Sequence, residues 1–84
     1  MLLIASNLPT LPAGKALETW VIPKVAKPVP AGMFRPDANG AAMYMMRRSI
    51  SPGDIVAVTV ENEAGVDQPT TTPIIAAAMP GTPQ

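Results

Sequence analysis

Eleven prolines in a chain of 84 residues restrict most of what this sequence can become. Proline has no backbone N–H and holds φ fixed, so helix interiors and central strand ladders exclude it. Its share here is far above the roughly 5% of an average protein. The chain must therefore be built from short strands joined by many turns.

The segments between the prolines read that way. Leu2 to Ser6 is a short apolar run, ended by the loop "NLPTLPAGK". "ALETWVIP", Ala16 to Pro23, is a strand in which Leu17, Thr19 and Val21 share one face and Glu18, Trp20 and Ile22 the other. "KVAKPVP" is an exposed connection. Ala31 to Arg35 and Ala41 to Arg47 read as a hairpin about "PDANG", because Asn39-Gly40 tolerates positive φ. Pro52-Gly53 centres another turn. Ile55 to Val60 is apolar apart from Thr59, which suits a central strand covered on both sides. A polar run, "VDQPTTTP", precedes a last strand, Ile74 to Ala78. No helical period of useful length is present. The pattern predicts an all-β, antiparallel, Ig-like β-sandwich, incomplete, with about five to six short strands. It places one domain over residues 1–79 and a flexible tail over 80–84.

A domain this small buries a limited core and usually needs support. Disulfides and thiolate metal sites are excluded, because there is no Cys. Charged residues are 14% against roughly 25% in typical domains. Mean hydropathy is +0.24 and the net charge is zero. Low charge points to surface hidden against a partner, and oligomerisation is the remaining support. Zero net charge gives no steering toward nucleic acid. No run of about 20 apolar residues exists, so this chain inserts no transmembrane helix of its own. "MLLIAS" lacks the length and basic flank of a signal peptide.

Few residues suggest chemistry. The commonest general base and metal ligand is missing, because there is no His. A Ser–Lys pair from Ser6, Ser49 or Ser51 with Lys15, Lys24 or Lys27 has no supporting motif. The six acids, Glu18, Asp37, Asp54, Glu61, Glu63 and Asp67, are scattered, mostly at strand ends and turns. "DANG" echoes the start of a calcium loop, but "AAMYMM" supplies no further oxygen ligands. Arg47-Arg48 reads as a solvated strand end, with a small basic patch as the alternative. Trp20 reads as a core anchor, with an exposed ligand platform as the alternative. The methionines between Met33 and Met46 read as core filler, or else as an adaptable interface. Asp67, Gln68 and Thr70 to Thr72 form a polar cluster, read as a strand connection stiffened by Pro69 and Pro73 rather than a ligand site. No catalytic, cofactor-binding or metal-binding residue is therefore assigned, and no cofactor is expected.

Taken in order, "NLPTLPAGKALETWVIPKVAKPVPAGMFRPDANGAA" and "GDIVAVTVENEAGVDQPTTTPIIAA" resemble the C-terminal domain of the anti-sigma-K factor family. The shared features are an "LP.LP.G" loop, a Trp-bearing strand, a "P.PAG.F..D..G" stretch and an "AVT.E..GG...PTGPI" ending. Leu17 stands where the family usually has Tyr, and Thr71-Thr72-Pro73 where it often has "TGP". The resemblance covers about Leu2 to Ala78 and omits the front of the family domain, and the edges this leaves unpaired imply a homodimer formed through exposed strand edges.

That resemblance implies a non-enzymatic, extracytoplasmic regulatory or sensor domain of a membrane-anchored anti-sigma factor. It would act on the outer side of the bacterial cell membrane and help control sigma-dependent transcription. Sigma binding would lie in regions this chain lacks. A secreted or cell-surface binding or adhesion module of similar fold is the alternative.

Overall fold

A computed structural model of the chain describes residues 2–46 and 48–78. The expected strand end at Arg47 and the expected tail over 80–84 lie outside the described residues. Among the described residues six strands and no helix form: β1 (Leu2–Ala5), β2 (Lys15–Ile22), β3 (Val29–Phe34), β4 (Ala42–Met45), β5 (Ile55–Asn62) and β6 (Ile75–Ala78). They make two antiparallel sheets, a pair β1-β4 and a four-stranded sheet in the order β3-β2-β5-β6. The all-β expectation and the strand number hold, and the arrangement is a small β-sandwich.

β2 and β5 are the inner strands of the larger sheet, paired over eight residues from Lys15↔Asn62 to Ile22↔Ile55. Their near-continuous burial answers to their apolar sequences. β6 returns alongside β5, as expected, with Val58 opposite Ile75. β3 lies at the sheet edge, where its Pro30 is tolerated. Its register against β2 shifts: Thr19 opposes Gly32 and Trp20 opposes Pro30, leaving Ala31 as the extra residue of a bulge. Gly32 sits at φ +124°, and a Cβ there would fall 1.8 Å from Tyr44 Oη. Only glycine lets the Tyr44 side chain lie across β3 at this point.

The expected hairpin between Ala31–Arg35 and Ala41–Arg47 does not form. The turn itself is present: Asp37 Oδ1 accepts the N–H groups of Asn39 (2.8 Å) and Ala41 (3.0 Å), and the Gly40 N–H donates to Asp37 O at 3.0 Å. Beyond the turn, β4 leaves β3 and pairs with β1, from Leu2↔Met45 to Ala5↔Ala42. The turn chemistry reverses the chain but does not choose the partner. β3 spends its pairing on β2, while Phe34 and Tyr44 stack across the sheet interface at 5.4 Å between ring centroids.

The core between the sheets has two linked parts. Val21, Ala31, Met46 and Val56 are buried with Leu3, Tyr44 and Ile50 against them. Leu8, Leu17 and Val58 are buried with Leu3, Ala5, Leu11, Phe34 and Ile75 around them. Val58 is thus core, as expected. The methionines divide: Met46 is buried, Met33 is half-buried, and Met43 and Met45 face outward, so the core-filler reading holds for Met46 and fails for Met43 and Met45.

Candidate interaction surface

Two features of the sequence had the character of a site, Trp20 and the polar cluster after β5. The structure brings them together. Glu18 opposes Thr59, Ala16 opposes Glu61 and Trp20 opposes Ala57, so all these side chains stand on the face of the large sheet turned away from β1-β4. The segment 63–74 crosses that face. Trp20 has no solvent exposure, which rules out the ligand-platform reading. Its anchor role holds, but on the outer face under this segment.

A buried polar chain ties the segment down. Trp20 Nε1–H donates to Thr59 Oγ1 at 2.9 Å, and the Thr59 hydroxyl donates to Glu61 Oε2 at 2.7 Å. Glu61 also accepts the Thr70 N–H at 3.0 Å and, on its other oxygen, the Thr70 hydroxyl. Glu18 Oε1 accepts the Val66 N–H at 3.0 Å, the Thr71 hydroxyl donates to Val60 O, and Gln68 Nε2 donates to Pro28 O. Gly65, at φ +82°, turns the chain out of β5. The polar cluster is therefore a fastened connection, as the sequence suggested. None of the buried side-chain N and O atoms among the described residues lacks a partner.

The two buried carboxylates titrate in opposite directions. Burial pushes Glu18 up from the ordinary 4.5; the Val66 N–H offsets part of this, and the charges of Glu61 and Asp67 add to it. Burial would also raise Glu61, but donation from the Thr70 and Thr59 hydroxyls and the Thr70 and Thr71 N–H groups pulls it below 4.5. Glu18 lies within its strand, as expected, and Glu61 near the end of β5; what the sequence does not show is their burial, which the donors of segment 63–74 make possible.

What the sequence did not reveal is the outer face of β1-β4. Leu2, Ile4, Met43 and Met45 point away from the core and are 42%, 69%, 70% and 57% exposed. Their alternation with the inward Leu3, Ala5, Ala42 and Tyr44 was present in "LLIA" and "AMYM". Both sets are apolar, so periodicity alone did not say which side was covered. Arg35, which pairs with Glu63 at 2.7 Å, and Asp37 border this face beside Ile4 and Met43. Arg48, at the other end of β4, is exposed and donates from Nε to Pro30 O at 2.8 Å, which braces β3.

Among known protein families, the model of the anti-sigma-K factor rskA C-terminal domain matches residues 1–74. The chain belongs to this family. The match spans β1 to β5 and the connecting segment up to the start of β6. Neither a curated protein nor a solved structure matches the chain. Thr59, Glu61 and Thr70, linked in the buried polar chain, all lie within the matched residues. No helix among the described residues is long and apolar enough to cross a membrane.

Proposed function

We propose that this chain is the extracytoplasmic regulatory domain of a membrane-anchored anti-sigma factor and that it acts by binding rather than catalysis. The family match over residues 1–74 carries this reading, since it spans both sheets of the fold. The closed polar chain supports it. Glu18 and Glu61 are spent on holding the domain's own backbone and offer no open face to a substrate. Control of the sigma factor belongs to other regions of the full-length protein, with this domain setting when that control is released.

Two readouts on the full-length protein test the proposal. The chain has no Cys of its own, and Val25 is 98% exposed, so Val25→Cys places one reporter thiol in this domain, with the full-length parent lacking it as the control. A membrane-impermeant maleimide is expected to label it in intact cells, and a protected thiol would overturn the outside placement. Deleting the domain is expected to change transcription from a promoter served by the cognate sigma factor. Labelling without any transcriptional change would favour the surface binding or adhesion reading instead.

A further inference from the structure

The outer face of β1-β4 carries an interaction surface. Leu2 opposes Met45 and Ile4 opposes Met43, so the four exposed side chains form a two-by-two block on this short sheet. From their exposures they present on the order of 500 Å² of apolar surface, in the range of functional patches. Neither strand carries a charged residue. A two-stranded sheet is also marginal by itself and gains from a cover.

We propose that the occupant of this face is a second copy of the same chain, packed about a two-fold axis. Two observations support it. The patch approaches the roughly 800 Å² that each partner contributes to a standard interface, so a self-match through one face is large enough once its rim is included. In an isologous contact the same patch meets itself, so Leu2, Ile4, Met43 and Met45 of one copy cover their counterparts on the other. Half of the patch is methionine, whose unbranched side chains adjust to an identical surface without a preformed pocket. The inference stands independently of the regulatory role proposed above.

The test is the mass of the 84-residue chain in solution, by sedimentation or light scattering, up to about 100 µM, where weak standard-size interfaces are populated. The expected species is twice the 8.7 kDa monomer mass. Ile4→Lys and Met43→Lys, at exposed positions, are each expected to give a monomer whose Trp20 fluorescence is unchanged, since Trp20 lies buried on the far face of the other sheet. Met45→Lys serves as a third position should either variant alter that fluorescence. A wild-type chain that stays monomeric throughout overturns the proposal. So does a dimer that persists in folded lysine variants.

Discussion

Trp20→Ala is expected to remove most of the domain's stability at 25 °C. Trp20 is fully buried between β2 and the segment 63–74, and its removal opens a large cavity. Such truncations cost about 3–5 kcal/mol. The Thr59 hydroxyl also loses the indole N–H that it accepts. A domain of this size stands near the low end of the 5–15 kcal/mol typical of folded proteins, so the loss consumes most of its stability. Trp20→Phe keeps part of the packing while losing the hydrogen bond and the second ring, so its cost is expected to lie clearly below that of Trp20→Ala. Urea denaturation followed by circular dichroism checks both variants. A Trp20→Ala protein that melts within a few degrees of the parent would show that the indole does not hold this face together.

Glu61→Ala is expected to destabilise the domain by about 3 kcal/mol, because it removes a buried charged acceptor and leaves the Thr59 donor without a partner. Glu61→Gln keeps a neutral acceptor for Thr59 and Thr70 and should cost about half as much. The pH dependence distinguishes the carboxylate from its amide. The folded pKa of Glu61 lies below 4.5, so its contribution is present above 4.5 and is lost as the pH falls through that folded value. Glu18 has the opposite sign. Its folded pKa is raised, so its contribution is full below 4.5 and is lost as the pH rises through the folded value. From these two groups, stability should rise as the pH is lowered from neutrality toward 4.5 and fall below it. In Glu61→Gln the Glu61 share of the acid-side fall should vanish while the rise from Glu18 remains. Thermal midpoints measured from pH 7 down to about pH 3 in both proteins check this.

The sequence already contained much of the architecture. The proline pattern excluded helices, the run from Ile55 to Val60 marked an inner strand, and "IIAAA" marked the returning one. Those signals are local, and local physics settled them. Pairing between distant segments was not legible. "PDANG" specifies a reversal through Asp37 and Gly40, yet nothing in it says that β4 will pair with β1. Glu18 and Glu61 read as interruptions or ends because a carboxylate in a strand normally marks exposure. Their burial depends on N–H groups 48 and 9 residues further along the chain. The outward turn of Met43 and Met45 was hidden for a different reason. Both faces of β4 are apolar, so only the position of the larger sheet shows which face is covered.

The segment 63–74 decides whether this domain is closed by fixed structure or carries a free loop over its outer face. Amide hydrogen exchange at Val66 and Thr70 measures this directly, since their N–H groups are held by Glu18 and Glu61. Both amides are expected to be strongly protected in the wild type, and the Thr70 amide is expected to lose protection in Glu61→Ala. Exchange of Val66 and Thr70 at the rates of an unstructured peptide in the folded wild-type chain would contradict the fastened connection and reopen the face above Trp20 as a binding site.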